Sequence, residues 1–172
     1  MLLYHGSNQV VETPLLIEQT RGLDFGAGFY LTTEEKQAIQ FSQIIVNRRK
    51  YGIATVSVYD FDMETVEEKA TEGTFSILRF RNADVDWLRF VTENRLKTYS
   101  GKLYDMVIGA VANDAVMPTI QAFLGGFLNE EAAIITLKAS RLTDQVCLKS
   151  EQALSFLRFV RSYETLTKGG DE

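Results

Sequence analysis

Leu23-Asp24-Phe25-Gly26-Ala27-Gly28-Phe29-Tyr30-Leu31-Thr32-Thr33 is the stretch on which the reading of this chain turns. Gly26 and Gly28 sit two apart and run straight into Phe-Tyr-Leu-Thr. Glycine adopts positive φ at little cost and lets another group come close to the backbone. Aromatic and branched residues in a row favour a half-buried strand. A backbone-exposing loop therefore feeds a strand with an aromatic near its start. Such a pairing can make room for a flat ring, or it can be a hairpin turn with a core tyrosine. Tyr4-His5-Gly6-Ser7, at the other end of the same loop, weighs toward the first reading.

The chain has 172 residues, 45% of them hydrophobic and 24% charged. That composition is ordinary for a globular protein and is enough for a substantial core. One domain is expected over residues 1–167, with a frayed tail over 168–172. A lone cysteine, Cys147, allows no disulfide within the chain, and a lone histidine, His5, speaks against a zinc site, so no metal is expected. A net charge of −5 argues against a large nucleic-acid surface. No apolar run approaches the ~20 residues of a membrane span. The opening residues lack the pattern of a signal peptide, which makes the cytoplasm the expected compartment.

In chain order, Leu2–His5 reads as a strand ended by the turn residues Gly6-Ser7-Asn8. Residues 9–24 read as a long loop holding an extended piece at Leu15–Ile17. Strand Phe29–Leu31 follows. Thr33 is the expected cap of a helix that ends at Arg48-Arg49-Lys50, with Gly52 beyond. Ile53–Phe61 alternates as a strand. An acidic helix and loop follow over 62–73, then a strand at Phe75–Phe80. Asp84–Lys97 has helical spacing, and Tyr104–Val111 is a buried strand interrupted by Gly109. Asn113-Asp114 offers a cap for a helix from Val116 to Leu128, with a second helix over Glu130–Ala139. Gln145–Leu148, a brief helix capped by Ser150, and a strand at Phe159–Thr165 complete the chain. Strands near both ends with helices between them predict an α+β fold.

Taken in order, several pieces resemble the ADP-ribosyltransferase superfamily, in the branch typified by diphtheria toxin and the poly(ADP-ribose) polymerases. They are His5-Gly6-Ser7, Asp24-Phe25-Gly26-x-Gly28-Phe29-Tyr30-Leu31-Thr32, Trp87-Leu88-x-Phe90, Tyr104-Asp105-x-Val107-Ile108-Gly109 and a late Gln145. Within that branch the chain is similar to a group of bacterial ADP-ribosyltransferase-like domains, over roughly residues 3–160. The resemblance implies a split β-sheet core holding NAD, used as a substrate, in an extended cleft. It implies that His5 bonds the adenosine ribose, that the Gly6 backbone holds the nicotinamide amide, and that Tyr30 packs on the nicotinamide ring. Ser7, Gly28 and Thr32 would line the same pocket. Chemically these roles are reasonable: imidazole donates and accepts at once, and a tyrosine face suits a cationic ring.

Where that branch has a catalytic glutamate, Gln145 stands here. Glutamine can hydrogen-bond a ribose hydroxyl but cannot carry negative charge or take a proton. General-base help is worth ~10²–10⁴ in rate. Asp144 and Glu151 are neighbouring acids, although Asp144 falls on the opposite strand face from Gln145. Arg21 and Asp24 either contact the NAD phosphates and ribose or pair across the loop. Asn113 and Asp114 either cap a helix or reach the acceptor side of the cleft. The expected activity is transfer of ADP-ribose to an unknown protein or nucleic-acid acceptor, or to water. The alternatives are an NAD- or ADP-ribose-binding module without transfer, and an interaction domain of a toxin–antitoxin-like pair with a cognate antitoxin-like partner.

Overall fold

The computed structural model describes residues 1–17, 22–112, 116–138 and 143–165. In chain order these form β1 (Leu2–Ser7), β2 (Phe29–Leu31), α1 (Glu35–Arg49), β3 (Thr55–Phe61), α2 (Met63–Thr71), β4 (Ile77–Arg79) and α3 (Val85–Leu96). Then come β5 (Met106–Ala110), α4 (Met117–Leu124), α5 (Glu130–Lys138), β6 (Asp144–Leu148), α6 (Glu151–Leu154) and β7 (Leu157–Glu164). These strands make two sheets, ordered β1-β3-β7 and β2-β6-β5-β4. Among the described residues only β4 and β5 run parallel, with α3 as their crossover; the other pairs are antiparallel. The fold is α+β, as the element order predicts.

Strand parity assigns every face. In β3, Tyr59 and Phe61 enter the core between the sheets, while Val56 and Val58 face the other way, against Ala38 of α1. In the second sheet Phe29, Leu31, Met106, Val146 and Leu148 enter that same inter-sheet core. The residues between them, including Val107 and Cys147, face outward to Trp87, Leu88, Ile120 and Leu137 of α3, α4 and α5. The layers are therefore α1, first sheet, second sheet, and the helices α3–α5.

The two sheets meet at an isolated bridge, Tyr4 to Thr32, with reciprocal N–H···O bonds of 2.9 and 3.0 Å. This seam positions the candidate site.

Several local expectations change for physical reasons. Gly6 and Ser7 are strand, not turn, because β3 pairs with them through Val56 and Thr55. Thr33 does not cap α1; its hydroxyl donates to the Asp144 carboxylate at 2.8 Å, and the cap position falls to Glu34. Leu15–Ile17 joins no strand. The helix expected over Val116–Leu128 stops at Leu124, where Gly125 and Gly126 turn the chain, Gly126 at φ 74°. By contrast Ser150 caps α6 as expected, accepting from Ala153 N at 3.1 Å, and Asp84 caps α3, accepting from Trp87 N at 3.1 Å.

Candidate functional site

His5 lies on β1 with its side chain toward the inter-sheet core. Its ring packs against Phe29, centroids 4.5 Å apart. Its Nδ1 is 2.7 Å from the backbone oxygen of Tyr30. A carbonyl only accepts, so Nδ1 carries the proton and Nε2 is left as an acceptor in the neutral ring. Burial holds the imidazole below its ordinary pKa, opposed by the bond to Tyr30. Next to the Tyr4–Thr32 bridge, a histidine side chain thus replaces the backbone ladder, and the strands of the two sheets part there.

Tyr30 points the other way, onto the outer face of the second sheet. There it packs with the cluster that includes Phe25, Trp87 and Cys147. Its hydroxyl donates to Gly26 O at 2.6 Å and accepts from Phe25 N at 3.1 Å. Burial raises the phenol well above 10, so it is neutral. Residues 23–28 therefore fold back over their own strand. Gly26 takes φ 77°, which allows the reversal. Lys149 pins the same loop from β6's end, donating to Phe25 O and, at 2.8 Å, to Ala27 O. Burial lowers the Lys149 pKa.

Gln145 shares Tyr30's face, one rung further along β6. It is only 6% exposed. Its Nε2 donates to Asp24 Oδ2 at 3.1 Å. The same Asp24 oxygen accepts from Ala112 N at 3.0 Å. Its other oxygen takes both Nε, at 2.7 Å, and an Nη of Arg95 from α3. The partner of Asp24 across space is thus Arg95. Neither Arg95 nor Lys149 is suggested as a site residue by the sequence, because each acts on the loop from more than 70 positions away.

The glycines have structural partners. A Cβ on Gly6 would collide with the Ala38 carbonyl of α1, and one on Gly28 with Cys147 and Leu148 of β6. The group that approaches each backbone is the protein itself. Ser7 ends β1 opposite Thr55. The Thr32 hydroxyl donates to Asp144 O at 3.0 Å. Asp144 holds the start of α1, on the strand face away from Gln145, as parity requires. Arg21, Asn113 and Asp114 lie outside the described residues. The structure therefore brings Tyr30, Gln145 and Asp24 together under one loop, and sets His5 across the same strand, joined to Tyr30 through its carbonyl. Surface concavities of about 470 and 500 Å³ lie elsewhere, around Asp60 and Tyr51, and include none of His5, Tyr30 or Gln145.

A family model described as a protein of unknown function, DUF3990, matches residues 1–159. The chain belongs to that family. No curated protein and no solved structure matches it. The family match takes in β1 through α6, and so covers His5, Tyr30, Gln145 and the seam. Among the described residues no helix is long and apolar enough to cross a membrane.

Chemically, the cluster combines the Asp24–Arg95 ion pair and the Lys149 ammonium with neutral groups. Burial pushes the Cys147 thiol up to about 12, and Tyr30 stays protonated. Asp24 spends its oxygens on Arg95, Ala112 and Gln145.

Proposed function

We propose that this chain is an NAD-using, mono-ADP-ribosyltransferase-like protein of the cytoplasm. The observation that carries the reading is the seam: the His5-Gly6-Ser7 strand and the Gly28–Thr32 strand touch at one bridge, and a histidine side chain parts them. NAD supplies a cleavable nicotinamide–ribose bond, from which ADP-ribose passes to an unidentified acceptor or to water. In this reading His5 Nε2 accepts from a ribose hydroxyl at the seam. Tyr30 offers its ring face once residues 23–28 lift. The Gln145 carbonyl orients a second hydroxyl. Positioning of this kind supplies most of the rate.

A second reading has its own support. The glutamine, and an Asp24 already held by Arg95, Ala112 and Gln145, leave no free carboxylate beside Tyr30, which favours an NAD- or ADP-ribose-binding module without transfer.

Calorimetry with NAD and an assay of released nicotinamide decide. Heat and release support the enzyme, heat without release the binding module. No heat ends both and leaves a protein-interaction role, such as one half of a toxin–antitoxin-like pair.

A further inference from the structure

We propose that Asp24 and Gln145 form a charge-matched pair, in which Asp24 is a positioning residue that fixes the Gln145 amide and makes a glutamate at 145 incompatible with the closed loop. Its consequence for ligand binding rests on the NAD reading; the pairing itself does not.

A carboxylate only accepts, so the nitrogen of the Gln145 amide must face it and the carbonyl oxygen must face away. Asp24 cannot turn to follow a flipped amide. Arg95 grips one of its oxygens twice, and Ala112 N holds the other at 3.0 Å. The rest of the setting is apolar. Gly109 is the cross-strand neighbour of Gln145, and the rings of Phe25 and Phe80 fill the space above it. Among the described residues, the charged and titratable groups around Asp24 are Arg95 from α3, Tyr30 from β2, Cys147 from β6 and, beyond the end of β6, the Lys149 ammonium, which is turned to the Phe25 and Ala27 carbonyls. Tyr30 and Cys147 are neutral, and Arg95 balances one negative charge. A second carboxylate at 145 would have no counter-charge of its own, because Asp24 holds Arg95 and the loop carbonyls hold Lys149.

Two carboxylates at about 3 Å cannot both ionise, so one keeps its proton to higher pH. The folded-state pKa of such an acid lies above its unfolded value. Stability is then full below the unfolded pKa and is lost as pH rises through the folded one. Melting temperatures between pH 5 and 8 for Gln145→Glu, for the neutral Gln145→Met and for Gln145→Glu with Asp24→Asn test this. The expected result is that Gln145→Glu matches Gln145→Met at pH 5 and melts roughly 5–10 °C below it at pH 8. Adding Asp24→Asn removes that pH-dependent gap. Equal losses for Glu and Met at every pH overturn the proposal, as does a gap that survives Asp24→Asn. Should Asp24→Asn not fold, Gln145→Glu with Asp24→Ser takes its place in the same comparison. An NAD titration of the unaltered chain runs beside these melts, so failure of the NAD reading and failure of the pairing are separate outcomes.

Discussion

His5 Nδ1 donates to the Tyr30 carbonyl across the seam between the two sheets, at 2.7 Å. The bond fixes the tautomer, and burial lowers the affinity of the ring for a proton. His5 is the only histidine in the chain, so its titration is free of overlap. The folded-state pKa lies below 6.5, so the contribution to stability is full above 6.5 and is lost as pH falls through that value toward the folded one. A histidine Cε1 proton resonance titrating with a midpoint under 6.5 is the expected result.

Removing the Tyr30 hydroxyl should loosen residues 23–28 without touching the strand. Tyr30→Phe deletes the donor to Gly26 O and the acceptor for Phe25 N. The expected cost is about 1–2 kcal/mol in urea unfolding. Faster amide exchange should be confined to Phe25 and its loop neighbours. A change spread evenly over β5 and β6 would contradict it.

How far these features can be read in the sequence depends on how local their causes are. The Ser150 cap depends on a side chain within a few residues, and the structure keeps it. Thr33 has the chemistry of a cap, but Asp144, more than 100 residues on, takes its hydroxyl. Gly6-Ser7 has turn composition, yet β3 extends the strand through it. Asp24 looks like a loop residue able to pair nearby; its ion pair with Arg95 spans 71 positions. The residue types of the candidate site are visible early. The closed arrangement of the site depends on such distant partners and is not.

Gly6 and Gly73 separate close packing from backbone strain. A Cβ at Gly6 would meet the α1 backbone, which cannot swing aside as a side chain does. Gly6→Ala should cost roughly 1–3 kcal/mol or more. Gly73 has φ 76° and open space around it. Gly73→Ala should cost about 1–2 kcal/mol through the left-handed backbone alone. Chemical denaturation of the two variants gives the comparison.

Two arginine–carboxylate pairs should differ sharply in worth. Arg79 meets Glu67 at the surface, with both side chains more than 40% exposed. Arg79→Ala is expected to cost less than about 1 kcal/mol and less still in high salt. Arg95 and Asp24 are 25% and 8% exposed, and Asp24 also holds Ala112 N and Gln145. Arg95→Ala leaves that carboxylate buried without its counter-charge and should cost about 3–5 kcal/mol. Equal effects in the two variants would mean that the Asp24 cluster tolerates water.

Lys149 offers the most direct test of the loop as a gate. Its ammonium holds Phe25 O and Ala27 O, and nothing in β6 needs it for strand pairing. Lys149→Met keeps the length of the side chain and removes its donors. The amides of residues 25–27 should then exchange faster, whatever the ligand. Under the NAD reading Tyr30 is reached only when this loop lifts, so the closed state taxes affinity by the fraction of molecules that are open. Losing two bonds to a charged donor should raise that fraction and tighten NAD binding by roughly tenfold. Faster loop exchange with unchanged or weaker NAD binding would show that the loop moves but guards nothing, and the Tyr30 face would then be core.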